Sequence, residues 1–182
     1  SGSTKADWVL IQTDCSRVNF VSDGINSMTE SSETILSIIS GIQHLIDVSK
    51  QVQEVFFYGA GCSKGETREI VEAVLVSVFS NAVVKVDSDL MACALATYNN
   101  EPMISCILGT GSNACYFDGK VLKQKIPALG YVLGDEGGGS YFGKQLLKAY
   151  FYETLPEDLR VQFDKTYSLQ IQELLRNVYQ EP

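Results

Sequence analysis

One histidine, His44, occurs in 182 residues, and its isolation removes a large part of catalytic chemistry. Histidine-based acid–base catalysis and His-containing zinc sets are effectively excluded. His44 falls opposite the helical stripe of Ile35, Ile39, Ile42 and Ile46, where a solvated side chain is expected. Cys15, Cys62, Cys93, Cys106 and Cys115 contain no CxxC pair; mostly set in apolar runs, they read as reduced, buried thiols of a cytoplasmic protein. Cys62, beside Gly61, lacks an imidazole that would activate it as a nucleophile, so packing under a loop is the stronger reading. Basic residues are few as well: 14 Lys and Arg against 22 Asp and Glu give a formal charge of −8. Nucleic acid and anionic membranes are therefore poor partners, and an anionic ligand needs local glycine loops, magnesium or a few lysines to hold it. No apolar run reaches the roughly 18 residues of a membrane span, and no basic-then-apolar leader precedes the first strand, so secretion is not expected.

What the chain does have is glycine in strand-end loops. Leu108-Gly109-Thr110-Gly111-Ser112-Asn113 is followed by Leu133-Gly134-Asp135-Glu136-Gly137-Gly138-Gly139-Ser140. Such loops let backbone N–H groups approach phosphate oxygens. Gly109 to Ala114 satisfies the G-x-G-x-x-A dinucleotide pattern, but the sequence after it continues as strand and turn, where a true fingerprint opens a helix. Gly59-Ala60-Gly61 lies between strand and helix, yet Lys64 stands in place of the third glycine, and no Walker A pattern occurs. A hairpin tipped with Gly-Thr-Gly-Ser suits nucleotide phosphate instead, although such a turn taken alone is more often structural. Ser1-Gly2-Ser3-Thr4-Lys5 precedes the first hairpin in the same relation to its strands, as a second small-residue loop with a cation.

At 45% apolar and 20% charged residues, the chain can bury a sizeable core in one or two small domains. Trp8 to Thr13 and Ser16 to Ser22 predict a hairpin turning at Asp14-Cys15. Ser31, Ser32 and Glu33 predict the start of a helix carrying Ile35, Ile38, Ile39, Ile42 and Ile46. Val52 to Tyr58 and Ala82 to Val86 read as strands around a helix over Glu66 to Phe79, extending the hairpin's sheet in parallel, with a further helix over Ser88 to Tyr98. Met103 to Leu108, Ala114 to Phe117 and Val121 to Ile126 read as a fresh antiparallel set turning at Asp118-Gly119. Helices are then expected over Tyr141 to Glu153, Glu157 to Lys165 and Leu169 to Tyr179. Asn99-Asn100-Glu101-Pro102 marks the domain boundary.

Asp87 and Asp89 follow a buried strand, where parallel sheets place reactive groups. Asp89 in the role of general base would activate an alcohol for in-line attack on phosphorus. Ser88 is expected at the cap of the next helix, and for Asp87, too, capping is a better reading than catalysis. Asp135 and Glu136 suit a polyhydroxylated ligand or magnesium-bound water; equally, Asp135 favours the positive end of the next helix.

The ordered set of Ser1 to Lys5, Gly24-Ile25-Asn26, Tyr58 to Cys62, Ser88-Asp89, Leu108 to Asn113 and Leu133 to Gly139 resembles the bacterial N-acetylglucosamine kinase-like proteins of the BadF/BadG/BcrA/BcrD ATPase family, in the sugar kinase, heat-shock ATPase and actin superfamily. The resemblance runs over nearly the whole chain. It implies an α/β, ribonuclease H-like (actin-like ATPase) domain over residues 1–100 with its first strand truncated, then part of a second over residues 101–182 with a helical insertion. ATP and magnesium (Mg2+) are the implied cofactors, bound in a cleft between the two. Gly2, Ser3, Thr4 and Lys5 would form the first ATP phosphate loop, and Gly109, Thr110, Gly111 and Ser112 the second. Asp89 would be the base for the 6-hydroxyl of a sugar held by Asn26, Asn113, Asp135 and Glu136. The family carries an apolar strand and a magnesium-associated aspartate before Ser-Gly-Ser-Thr-Lys, and continues well past the residue matching Pro182, so this chain corresponds to part of a kinase. No metal-ligating residue is assigned in it. Expected partners are a sugar and ATP, with room for a homodimer, and an uncovered sheet edge is an aggregation liability. A BadF-type activator ATPase is the alternative enzyme, although the cysteines are not arranged for its iron–sulfur cluster. A non-catalytic sugar or nucleotide sensor is the alternative outside enzymes.

Overall fold

Alternating side chains over Lys5–Ile11 and Arg17–Asp23 form strands β1 and β2, an antiparallel hairpin registered with Trp8 opposite Phe20. The computed structural model describes residues 1–63 and 65–180; Lys64 and the end of the expected second domain lie outside the described residues. Ser31 starts α1, Ser32–Ser40, by accepting the Thr34 N–H. The isoleucine stripe expected as one helix is broken after α1. Gly41 caps it, and Ile42 leaves helical geometry, with φ −94° and ψ 79°, ahead of α2, Gln43–Val48. Glycine is a poor helix former, and the bend lets Leu45 enter the core. His44 is exposed, with its ring 5.4 Å from that of Phe20.

Strands β3, Glu54–Gly59, and β4, Val83–Ser88, pair in parallel through the crossover helix α3, Glu66–Val78. The hairpin does not continue into this pair as expected: β1–β2 and β3–β4 are separate two-stranded sheets. The edge of β3 is occupied instead by Ser1, which donates to the Tyr58 carbonyl and accepts from the Ala60 N–H, and by the bridge between Asn26 and Ala60. Ile25, Ile35, Ile39, Phe57, Val71 and Leu75 form the heart of one core.

Helix α4, Asp89–Thr97, leads to the three-stranded antiparallel sheet of β5, Met103–Leu108, β6, Ser112–Phe117, and β7, Leu122–Lys123. The third strand, expected to reach Ile126, has only two residues, because only Leu122 and Lys123 find partners on β6. Leu90 and Ala94 of α4 pack with Cys115 and Phe117 in a second core, so the helix before the expected boundary is seated on the sheet after it. Helices α5, Gly130–Leu133, α6, Gly139–Phe151, α7, Glu157–Thr166, and α8, Ile171–Tyr179, follow. Phe163 is their one buried apolar side chain among the described residues.

All five cysteines are free, but not all are buried: Cys15 and Cys106 are exposed. Cys15 sits in the hairpin turn at φ 65°. Cys106 alternates with buried Ser105 along β5 and so faces outward. Cys62 is fully buried, and burial pushes its thiol pKa up, which fits packing rather than nucleophilic attack. Among the described residues no helix is long and apolar enough to cross a membrane.

Candidate active site

Gly2, Ser3 and Thr4 lie exposed at the entry to β1. They are seated there by Gly24, where a Cβ would come within 2.5 Å of the Gly2 and Ser3 carbonyl oxygens. Only glycine lets the end of β2 pass so close to that loop. Asn26 ties the two segments again. Its Nδ2 donates to Ser3 Oγ at 3.2 Å, and its Oδ1 accepts the Met28 N–H at 3.0 Å. Lys5 opens β1 itself, and its exposed ammonium pairs with Asp7 at 3.0 Å.

The bend between β5 and β6 carries the other loop. Thr110 Oγ1 meets Thr4 Oγ1 at 3.2 Å, so two loops 106 residues apart touch through the hydroxyls expected to face phosphate. Behind the bend, the segment from Gly134 to Ser140 is bolted on by its backbone. Gly139 N–H donates to the Gly109 carbonyl at 2.8 Å and Ser140 N–H to that of Thr110 at 2.9 Å. A Cβ on Gly138 would lie 2.7 Å from the Gly111 carbonyl carbon, and one on Gly111 would lie 2.6 Å from Asp135 Oδ2. Asp135 Oδ1 accepts the Ser112 N–H at 3.3 Å, and Ser112 Oγ donates to the Glu136 carbonyl at 2.9 Å. The clamping by Gly138, Gly139 and Ser140 escaped the sequence reading, although three consecutive glycines were its signal. The exposed residue Glu136 joins the loop through its carbonyl. Asn113 stands apart from these contacts, its Oδ1 accepting from Gln124 Nε2 at 2.8 Å and from the Ala114 N–H.

Ser88, rather than Asp87, caps α4: its Oγ accepts the Met91 N–H at 3.2 Å, while Asp87 Oδ1 accepts the Ser88 N–H. Asp89 is the first residue of α4 and half-buried, with Oδ1 on the Leu90 N–H at 2.8 Å. Burial lowers the pKa of the Ser1 ammonium, and the Asp89 charge opposes that. Among the described residues no three His, Cys, Asp or Glu side chains converge on a metal position. Magnesium carried on nucleotide phosphates asks for less, one or two carboxylates with water completing its shell.

No family model matches this chain, and no curated protein does. Among solved structures, the chain superposes on a protein of Porphyromonas gingivalis named as a putative N-acetylglucosamine kinase, with a TM-score of 0.89 and 32% sequence identity. The likeness is to a kinase-like protein. The alignment covers 100% of this chain and 65% of that one, so this chain spans less than two thirds of its kinase-like relative. The BadF/BadG assignment rests on the motif resemblance.

Proposed function

We propose that this chain forms part of an ATP-dependent sugar kinase of the BadF/BadG type, with ribonuclease H-like domains, that phosphorylates N-acetylglucosamine at its 6-hydroxyl in the cytoplasm. The observation that carries the reading is the contact between Thr4 and Thr110 at 3.2 Å, which joins two small-residue loops distant in sequence. Supporting it is the 32% identity to a kinase-like structure over the whole chain.

In this reading Gly2 to Thr4 and Gly109 to Ser112 hold the ATP phosphates through backbone N–H and hydroxyl groups, with Lys5 at the outer end of the first loop. Magnesium, bound to those phosphates, would neutralise the charge that builds up on the transferred group. Asn26, Asn113, Asp135 and Glu136 orient the sugar. Asp89 keeps Oδ1 on its own helix N-terminus and uses Oδ2 as the base. It takes the proton of the 6-hydroxyl as that oxygen attacks the γ-phosphorus in line, and the bond to the β-phosphate oxygen breaks to release ADP.

The test is sugar-dependent ADP release by the natural full-length protein, with N-acetylglucosamine, glucose, glucosamine and fructose compared. Turnover with N-acetylglucosamine is expected to fall by at least about a hundredfold in Asp89→Asn, the scale of a lost general base, while sugar binding persists. ADP release indifferent to every sugar would point to an activator ATPase. Sugar or nucleotide binding without turnover would point to a sensor.

A further inference from the structure

Asp135 stands out because it is engaged before any ligand arrives. It occupies left-handed backbone geometry at φ 63°, a conformation that Asp, Asn and Gly tolerate and most residues do not. That geometry turns its carboxylate onto the second phosphate loop: Oδ1 accepts the Ser112 N–H at 3.3 Å, and the carboxylate fills the space where a Gly111 side chain would stand. Its own carbonyl accepts the Gly138 N–H at 2.9 Å, which fixes the turn that delivers Gly139 and Ser140 to the same loop. The bend between β5 and β6 has no buried apolar anchor of its own, since Leu108, Gly109 and Thr110 are all exposed. Polar bonds from the later loop must define its shape.

We propose that Asp135 is the positioning residue of the second phosphate loop: its Oδ1 holds Ser112 so that Thr110 and Gly111 present their groups to a phosphate, and its Oδ2, which lies against Gly111, is the oxygen left to meet the acceptor. This rests on the kinase reading, and deepens it by making one carboxylate the physical link between the two substrates. Holding the loop requires an acceptor at this position and does not require negative charge, which beside a phosphate is a cost. Asparagine therefore preserves the function, and glycine abolishes it without adding backbone strain.

Two measurements test this. Hydrogen exchange on the unliganded chain should show the Ser112 amide protected in the native protein and in Asp135→Asn, and exchanging about tenfold faster in Asp135→Gly. Affinity for a fluorescent ADP analogue, measured with no sugar present, should fall about tenfold in Asp135→Gly and stay within about twofold of native in Asp135→Asn. Gly111→Ala should weaken the same binding, and the Gly111→Ala/Asp135→Gly double variant should lose less than the two single effects combined, because the side-chain clash is gone. Native Ser112 exchange and native nucleotide affinity in Asp135→Gly would overturn the proposal. Absence of nucleotide binding by the native protein would instead overturn the kinase reading, with the exchange experiment still deciding whether Asp135 holds the loop.

Discussion

The first loop and the second are held by different physics. Gly2 to Thr4 rest on a half of the molecule in which ten buried side chains pack into one core, and Gly24 brings strand backbone directly against them. Gly109 to Ser112 are gripped by backbone hydrogen bonds and a carboxylate from a segment whose helices bury a single apolar side chain, Phe163, among the described residues. Burial is non-directional and gives a stable platform; hydrogen bonds are directional and individually modest, so they define a loop's shape at small energetic cost to altering it. The first loop therefore rests on the more deeply buried part of the chain, and the second on Gly134 to Ser140, flanked by exposed Tyr131, Val132, Leu133 and Phe142.

The difference is open to direct attack. Leu75, fully buried in the first core, should cost about 2–5 kcal/mol when cut to alanine, whereas the same cut at the 48% exposed Leu175 should change stability by less than about 1 kcal/mol. Urea unfolding monitored by circular dichroism measures both, and equal losses would erase the contrast. Next in size, Gly24→Ala places a Cβ within 2.5 Å of two carbonyl oxygens and should destabilise by about 1–3 kcal/mol while displacing the first loop. Gly109→Ala meets nothing within 4 Å, so its unfolding midpoint should shift by less than about 0.5 kcal/mol equivalent.

The smallest effect lies at Asp118, half-buried in the turn between β6 and β7. Its Oδ1 accepts the Val121 and Lys120 N–H groups at 2.7 and 2.9 Å, and these bonds hold its pKa below the ordinary value of 3.8. A carboxyl depressed on folding contributes stability above its unfolded pKa and loses it as the pH falls through the folded one. The turn should therefore loosen only below about pH 4, visible as movement of the Lys120 and Val121 amide resonances. Asp118→Asn should abolish that acid-range change.

Much of this was legible in the sequence because the signals are local. Ser31 and Ser88 sit where a hydroxyl can reach an N–H three residues on, and both cap helices. The β1–β2 hairpin and the crossover through α3 follow from side-chain periods of two and 3.6. Local signals also misled. The isoleucine stripe carries through Gly41 on a helical projection while the backbone turns away there, and Val121 to Ile126 had strand character with too few partners to pair. Cys106 looked buried because its neighbours are apolar, yet strand alternation sends it outward.

By itself, then, the sequence determined the type and approximate place of most helices and strands, and which loops are rich enough in glycine to approach a phosphate, since each depends on residues within a few positions of one another. Tertiary structure alone decided that Thr4 meets Thr110 and that Asp135 turns onto Ser112. The Thr4–Thr110 and Asp135–Ser112 contacts join segments 106 and 23 positions apart. No local preference encodes them; they form where α4 packs against β3, β4, β5 and β6 and where Gly138 approaches the Gly111 backbone.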